Sequence, residues 1–352
     1  MPPRLAILGT GSHLPGRPYT NDDLGRVMET NDDWVRQRTG IGQRYYAPEG
    51  VGASDLAVEA SRRALASAGL TPEDLDYILF ATMTPDYVLP GSGPILGSKL
   101  GCAGIPALDI RQQCAAMIYG LQLADALFRA GTARRILLVG AEAHAGFMPW
   151  RDWDVLEGAR DERPADDDWR RANDHRALAI LFGDGAGAMV LSADGDEGTG
   201  LLAVDLHSDG ALAEKLYIPA GFHTRPFISE RTVEDDSWIP RMDGRDLFRH
   251  AVTKLPQSVR SVCERAGVAV DDVDLFIAHQ ANMRINEAVR QSLGVPKEKV
   301  PSNIERVGNT SAATIPILLD EIVREGRLKR GMLVCFLALG AGIHWGSALL
   351  RV

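Results

Sequence analysis

The stretch AGLTPEDLDYILF at residues 68–80 is matched without a gap by AGVAVDDVDLFIA at residues 266–278. In each copy a helical pattern ends at an Ala-Gly pair, an acidic turn follows, and a short apolar run predicts a buried strand. A long helical pattern precedes each copy, at 54–68 and 244–266. The same helix-turn-strand unit therefore recurs at an offset of 198 residues.

A second pair of matching segments lies further along, where DALFRAG at 125–131 matches DEIVREG at 320–326. A strand pattern follows each, at 136–139 and 331–334, and the offset is now 195 residues. We expect the loops between the two pairs to account for the difference of three. Either the chain is a duplicated α/β unit or two helix-strand units resemble each other by chance. Alternation of strands and helices favours a largely parallel sheet with helices on its faces.

At the offset of 195, Cys114 falls on Asn309, and both residues precede long helical patterns, at 115–130 and 311–325. If the two halves are related by a pseudo-two-fold axis, these helix N-termini approach one another. One N-terminus then carries a thiol and the other a carboxamide.

Composition narrows the functional classes. The 352 residues include 38 basic and 47 acidic side chains, a net charge of −9. Such a chain is unlike a general binder of nucleic acid or anionic membranes. Its four cysteines form no CxxC pair and no zinc-ligand spacing, so we expect no metal site and a reducing compartment. No signal-peptide or membrane-spanning run is visible, and the expectation is a cytoplasmic protein.

Cys114 is the first candidate for chemistry, because it follows the short strand pattern at 107–110 and precedes a helix. A free cysteine has a pKa near 8.5, and a helix N-terminus lowers it by up to roughly 1.5. That arrangement would make thiolate a substantial fraction at neutral pH. A buried structural cysteine is the alternative interpretation.

Two further polar side chains occupy comparable places. His279 stands directly after the strand pattern at 275–278, and α/β proteins place chemistry at the carboxyl ends of strands. Asn309 lies in the string GNTSAA at 308–313. A histidine satisfied within the core, and small residues that permit close helix packing, are the structural alternatives.

These segments carry a family resemblance. The surroundings of Cys114, the string HQANMRI at 279–285 and the GNTSAA string resemble the β-ketoacyl-acyl-carrier-protein synthase III family. Further matches are Trp34 with RTGI at 38–41, FGDGAGA at 182–188 and GAGIHWG at 340–346. The resemblance implies an α/β thiolase fold with duplicated mixed-sheet halves, layered α-β-α-β-α. Residues 1–195 would carry the nucleophilic cysteine, and residues 196–352 the histidine and the asparagine.

The resemblance also implies an acyltransferase. Cys114 would take the acyl group from a thioester, with the backbone N–H groups of Cys114 and Ala341 as oxyanion hole. Neutral His279 and Asn309 would donate hydrogen bonds to the thioester oxygen of a malonyl-type extender as it loses CO₂. The enolate would then attack the acyl group in fatty-acid or polyketide biosynthesis. The substrates would be acyl thioesters of coenzyme A or acyl carrier protein, with no cofactor, and the enzyme would be a homodimer.

The sequence departs from the family in a charged insertion at about 148–176, rich in acidic residues and arginine. Trp34 matches the first adenine-stacking position of the family, but the second, an arginine from the insertion region, cannot be placed. The insertion is either a solvated surface excursion or a reshaped entrance that admits only carrier-bound acyl chains.

Two aliphatic residues stand where the family often has aromatic ones. Leu89 replaces a gate contributed across the dimer, and Leu339 replaces a phenylalanine beside the cysteine, which suggests a wider acyl channel. An acidic chain that binds an acidic carrier protein also needs a local basic patch. The family's docking positions, or the helices that carry them, correspond here to Arg245, Arg249, Arg284 and Arg290.

Other functions stay open at this point. The same acyl-Cys114 chemistry would serve a natural-product enzyme that joins two acyl chains or acylates an oxygen or nitrogen nucleophile. A nucleotide-binding α/β protein with a structural Cys114 is a different class, although Gly9-Thr10-Gly11 lacks the third glycine of a dinucleotide fingerprint. A catalytically silent partner subunit is a third. The condensing-enzyme interpretation requires Cys114, His279 and Asn309 to meet in one dry cleft.

Overall fold

The computed structural model describes residues 3–352. The strands are β1 Ala6–His13, β2 Pro18–Thr20, β3 Gln43–Tyr45, β4 Tyr77–Ala81, β5 Ala107–Ile110, β6 Arg135–Glu142, β7 Gly185–Ser192, β8 Gly200–Ser208, β9 Leu216–Tyr217, β10 Arg241–Met242, β11 Leu275–Ala278, β12 Leu333–Gly340 and β13 His344–Arg351. The helices are α1 Asn21–Leu24, α2 Asp32–Thr39, α3 Ala53–Ala68, α4 Ser92–Leu100, α5 Ala116–Arg129, α6 Trp153–Leu156, α7 Asp166–Asp174, α8 Arg176–Ala179, α9 Glu230–Glu234, α10 Gly244–Ala266, α11 Met283–Leu293, α12 Ile304–Val307 and α13 Thr314–Arg324. None of the helices within residues 3–352 is long and apolar enough to cross a bilayer.

The four strands of the second sheet repeat the order of four strands of the first, whose fifth strand β5 has no counterpart among residues 3–352, and this repetition supports the duplication. The first runs β1-β7-β6-β4-β5 and the second β8-β13-β12-β11. The expectation of a largely parallel sheet is wrong, because β4-β5, β4-β6 and β11-β12 are parallel and the other four pairings are antiparallel. Only residues 341–343 connect β12 to β13, and parallel neighbours need a crossover of a dozen or more residues. The mixed sheets implied by the family resemblance are confirmed.

The sheets and helices form five layers. Apolar side chains of α5 and α13 pack between the two sheets in one continuous core. Helices α3 and α4 cover the outer face of the first sheet, and α10 and α11 cover that of the second. Both central helices are buried along most of their length, as expected of helices enclosed on two sides.

The residues of the two halves that correspond to each other at the site differ from the predicted ones. Helices α5 and α13 begin at Ala116 and Thr314, an offset of 198, and end at an offset of 195. The three-residue difference therefore lies within the helices and not in the loops. Gln113 and Ser311, which precede the two helices, both adopt a φ of 46°. Cys114 thus corresponds to Ala312 and not to Asn309, although the two helix N-termini do approach one another.

The Gly9-Thr10-Gly11 segment of β1 serves packing. A Cβ at Gly11 would lie 2.3 Å from the Ala60 carbonyl oxygen of α3, so the strand and the helix touch backbone to backbone. On the opposite face, the hydroxyl of Thr10 donates to Asp320 in the central helix α13 at 2.9 Å. The glycines of this segment are accounted for without a nucleotide.

The insertion is packed into the body of the protein at its two ends, whereas residues 157–163 between them are exposed, so the interpretation as a solvated surface excursion holds only for the middle of the segment. Trp150 is buried and packs edge-on against Tyr46. Arg171 pairs with Asp168 of its own helix and with Asp236 at 2.7 Å. Apolar side chains from the insertion therefore have a core to bury against, and its charges pair around that core.

Candidate active site

The structure brings Cys114, His279 and Asn309 together. All three line one cavity of about 120 Å³, enclosed mainly by aliphatic side chains. Cys114 comes from the turn between β5 and α5, His279 directly follows β11, and Asn309 precedes α13. Three segments that are distant in sequence thus meet where their strands and helices end.

The thiol of Cys114 is buried, and its Sγ lies 3.3 Å from Oγ of Ser311, at the N-terminus of the other central helix segment. Burial raises the pKa of the thiol to about 12, and the nearby Glu142 adds to this. The predicted thiolate fraction is therefore wrong for the unliganded site. The loss of hydration outweighs a helix N-terminus, which can lower the pKa by only about 1.5.

His279 is neutral, because burial lowers the pKa of its ring to about 3. Its Nδ1 lies 2.7 Å from the Oγ1 of Thr314, which also lies 3.0 Å from the carbonyl oxygen of Ser311. The hydroxyl has a single hydrogen. If that hydrogen goes to Ser311, Nδ1 must carry the ring proton and Nε2 is an acceptor; if it goes to Nδ1, Nε2 becomes a donor. Within residues 3–352, the buried Nε2 has no partner.

Asn309 is oriented by its backbone and its own carboxamide. Its N–H donates to the Leu181 carbonyl, and its carbonyl accepts from the Gly183 N–H, both at 3.0 Å. Its Oδ1 accepts from the Ser311 N–H at 2.9 Å, which leaves Nδ2 as the group available for donation. The FGDGAGA string therefore acts through Asn309, by holding the segment that carries it.

The strand end at Gly340 lies against the nucleophile. A Cβ on Gly340 would be 2.9 Å from the backbone nitrogen of Cys114, so only glycine fits there. Ala341 follows immediately. The backbone of β12 thus runs beside the Cys114 N–H, the neighbourhood that an oxyanion hole formed by Cys114 and Ala341 requires.

Sequence reasoning missed Glu142, a fully buried carboxyl near the thiol. It accepts hydrogen bonds from the backbone of Met83 at 3.0 Å and of Ala312 at 3.2 Å, and from the Thr84 hydroxyl at 2.7 Å. Burial raises its pKa to about 7. Glu142 ends β6, so the strand-end argument that singled out His279 applied equally to it.

A wider groove leads into the cavity. Asn282 and Gly244 line both spaces and form the neck between them. Trp34 lines the groove, and guanidinium carbons of Arg38 and Arg176 lie 4.1 and 4.4 Å from its ring centroids. Arg176, which belongs to the insertion region, therefore lies over Trp34.

The four arginines predicted to dock a carrier protein do not share one environment. Arg245, Arg249 and Arg284 line the groove. Arg249 is paired with Asp246, whereas Arg245 and Arg284 form no ion pair among residues 3–352. Arg290 does not line the groove; it pairs with Glu287 at 2.6 Å and donates to the Val295 carbonyl at 2.7 Å. The structure therefore separates Arg290 from the other three.

Of the two residues predicted to widen the acyl channel, only one lines the cavity. Leu339 lines the cavity. Leu89 is 76% exposed and does not line the cavity of its own chain. The remaining cysteines, Cys102, Cys263 and Cys335, are free and buried, and burial raises the pKa of each.

Comparisons with known proteins agree with the fold. The family of 3-oxoacyl-[acyl-carrier-protein] synthase III matches residues 108–157 and 167–210, and its C-terminal region matches residues 263–352. The β-ketoacyl-[acyl-carrier-protein] synthase III of Erythrobacter litoralis is 41% identical over 350 residues, covering 99% of each chain.

Solved structures extend the similarity to three dimensions. The 3-oxoacyl-[acyl-carrier-protein] synthase III of Aquifex aeolicus superposes with a TM-score of 0.84 at 37% identity, over 99% of this chain and 100% of that one. The priming β-ketosynthase of the R1128 polyketide pathway superposes with a TM-score of 0.83 at 30% identity, over 100% and 98%.

Proposed function

The chain belongs to the 3-oxoacyl-[acyl-carrier-protein] synthase III family of condensing acyltransferases, and we propose that it works through an acyl-Cys114 intermediate. It joins an acyl thioester to a malonyl-type extender by a decarboxylative Claisen condensation, in fatty-acid or polyketide biosynthesis. The observation that carries the proposed residue roles is that Cys114, His279 and Asn309 line one cavity.

In the first half-reaction Cys114 attacks the carbonyl carbon of the acyl thioester. Because burial holds the pKa of its thiol near 12, the attack needs an acceptor for the thiol proton. Nε2 of His279 takes that role when Nδ1 donates to Thr314. The bond between the acyl carbon and the donor sulfur breaks, and the donor sulfur leaves as a thiolate that takes its proton from water. The proton accepted from Cys114 stays on Nε2 of His279.

In the second half-reaction His279 and Asn309 act as donors. The extender loses CO₂, and the electron pair of that bond moves into an enolate whose oxygen accepts from Nε2–H and Nδ2–H. The enolate carbon bonds to the acyl carbon, the Cys114 sulfur leaves as thiolate, and the Nε2 proton of His279 returns to it and restores the thiol. Donors already in place within a dry site stabilise the developing charge more than water would.

The groove around Trp34 binds the handle of the substrate. Trp34 and Arg176 stack directly on each other in the unliganded chain, so an adenine ring would lie between them only after Arg176 moves away. The aromatic face and the planar cation would then hold the adenine from both sides, which supports coenzyme A as one handle. The unpaired Arg245 and Arg284 beside them suit an acidic carrier protein as the other. No cofactor besides the substrates takes part.

We also propose a homodimer, formed along the edge strand β5. Among residues 3–352 this strand pairs only with β4, and Leu108 on it is 42% exposed. Tyr87, Val88 and Leu89 add exposed apolar surface. A second copy at this edge would cover both features and bring Leu89 toward the partner's acyl channel. The proposed location of the protein is the cytoplasm.

Intact-mass spectrometry tests the function directly. We expect a mass increase of one acyl group on the protein after incubation with acyl-coenzyme A or acyl-carrier donors, and its loss when malonyl-carrier protein is added. Cys114→Ala should abolish loading. The proposal fails if no donor loads the unaltered protein, or if Cys114→Ala loads as well as the unaltered protein.

A further inference from the structure

A second asparagine occupies the wall of the catalytic cavity. Asn286 lies on α11 and lines the same cavity as Cys114. It is 9% exposed, and its Nδ2 has no hydrogen-bond partner within residues 3–352. The mechanism proposed above does not use it.

The surroundings of Asn286 are apolar. Leu247, Ala251 and Leu255 line the cavity from one face of α10, and aliphatic residues of β12 line it from the sheet. From Gly244 at the neck to Leu255 is eleven residues of helix, about 16 Å. The cavity therefore extends along α10, with a carboxamide set into an aliphatic wall.

The neighbouring Asn282 is an asparagine on the same cavity wall whose carboxamide has hydrogen-bond partners for both its donor and its acceptor. Asn282 stands one turn earlier, at the neck; its Nδ2 donates to the Arg38 carbonyl at 3.0 Å, and its Oδ1 accepts from the Arg284 N–H at 2.9 Å. Asn286 has no such donor contact. Proteins rarely leave a buried donor without a partner, because the donor loses its hydrogen bonds to water and no protein hydrogen bond offsets that cost. A donor in that state on a cavity wall indicates an acceptor on the ligand.

We propose that Asn286 donates a hydrogen bond from Nδ2 to an oxygen of the bound acyl thioester, and so selects substrates that carry an acceptor at that depth. This inference rests on the proposed function. A hydroxyl or keto oxygen on the acyl chain and an amide oxygen of the pantetheine arm both offer the required chemistry. Asn286 lies one helical turn, about 6 Å, inward from the neck residue Asn282.

The test compares kcat/KM for pairs of acyl chains of equal length, with and without one hydroxyl or keto group. Each pair is offered as a coenzyme A thioester and as an S-ethyl thioester, which has no amide. The variants are Asn286→Leu, which keeps the volume and removes the donor, and Asn286→Ser, which keeps a smaller donor. Asn303→Leu is the matched control, because Asn303 also has a buried Nδ2 without a partner and does not line the cavity.

If the acyl chain supplies the oxygen, Asn286→Leu lowers the preference for oxygenated chains about tenfold with both handles. If the pantetheine arm supplies it, Asn286→Leu lowers kcat/KM about tenfold for every coenzyme A thioester and spares S-ethyl thioesters. Asn286→Ser should retain part of either effect, and Asn303→Leu should retain the unaltered preference.

The proposal is overturned if Asn286→Leu leaves every ratio within twofold, or changes them no more than Asn303→Leu does. Failure of the unaltered protein to load any acyl group on Cys114 would instead contradict the proposed function. Loading of plain alkyl chains by Asn286→Leu shows that the variant is folded and that its ratios can be interpreted.

Discussion

At the scale of single residues, the pKa values of the site side chains depend on the balance between burial and nearby polar groups. Cys114 stands at a helix N-terminus, yet burial holds its pKa near 12. His279 is kept neutral by the same loss of hydration. The unliganded site is therefore uncharged at these two side chains, and its reactivity depends on moving protons between them when substrate binds.

Alkylation of Cys114 by iodoacetamide should report this directly. Only the thiolate reacts, so with a pKa near 12 we expect the rate to rise about tenfold per pH unit from pH 6 to pH 9, without a plateau. The rate is followed by intact mass, and Cys114→Ser is the control that reveals any labelling of the other three cysteines. A plateau near pH 7 would show that the helix N-terminus outweighs burial.

Thr314 should set the tautomer of His279, and with it the condensation step. Thr314→Val keeps the shape and removes the hydroxyl that lies 2.7 Å from Nδ1. We expect kcat for condensation to fall about tenfold. Nitrogen NMR shifts of the His279 ring should change, and Thr314→Ser should restore both. If the serine variant is as impaired as the valine variant, the methyl group and not the hydroxyl is what matters.

At the scale of elements, close contacts between strand and helix hold the site segments in place. Gly11 of β1 touches the backbone of α3, and the other face of β1 is tied to α13 through Thr10 and Asp320. Helix α13 in turn begins at Thr314, three residues after Ser311, the neighbour of the Cys114 thiol. Packing on the far side of the first sheet therefore reaches the nucleophile through three contacts, Gly11 with α3, Thr10 with Asp320, and Ser311 with Cys114.

Gly11→Ala tests the tightness of this layer. Its Cβ would lie 2.3 Å from the Ala60 carbonyl oxygen, and such overpacking should lower the free energy of unfolding by about 1–3 kcal/mol. Gly210→Ala is the matched control, because a Cβ there meets nothing within 4 Å. Denaturant unfolding measures both. Equal stability of the two variants would mean that α3 shifts away from β1 without loss.

At the scale of the whole molecule, the local charge of the groove is opposite in sign to the net charge of the chain. The chain carries a net charge of −9, yet four arginines line the groove that leads to the cavity. Elsewhere most arginines are paired with nearby carboxylates, as Arg290 is with Glu287. An acidic partner is therefore attracted to the groove and repelled by most of the remaining surface.

Arg284 and Arg290 lie on the same helix and allow this to be tested. Arg284→Gln should raise the apparent KM for acyl-carrier substrates about fivefold at low salt, and less at high salt, because it removes an unpaired charge from the groove. The KM for small thioesters should not change. Arg290→Gln, at a position outside the groove, should leave both values unaltered. Equal effects of the two variants would place the carrier elsewhere.

Local patterns in the sequence determined the units of this protein. The helical patterns at 54–68 and 244–266 became α3 and α10 within one residue, and β5 and β11 occupy the predicted residues. Short motifs and their spacing were enough to predict the duplication, to select the three polar side chains at element ends and to identify the family. Such patterns are readable because helix and strand periodicity is set by adjacent residues.

Only the tertiary structure decided the pairing direction of the sheets, the register of the two central helices and the burial of the insertion. The same holds for the pKa of Cys114, the free donor of Asn286 and the separation of Arg290 from the groove. Each of these depends on which distant segment lies against a side chain. The hydration of a side chain, its hydrogen-bonding or charged partner and the space around it all depend on the distant segment that it contacts. Residues that are neighbours along the chain do not determine them.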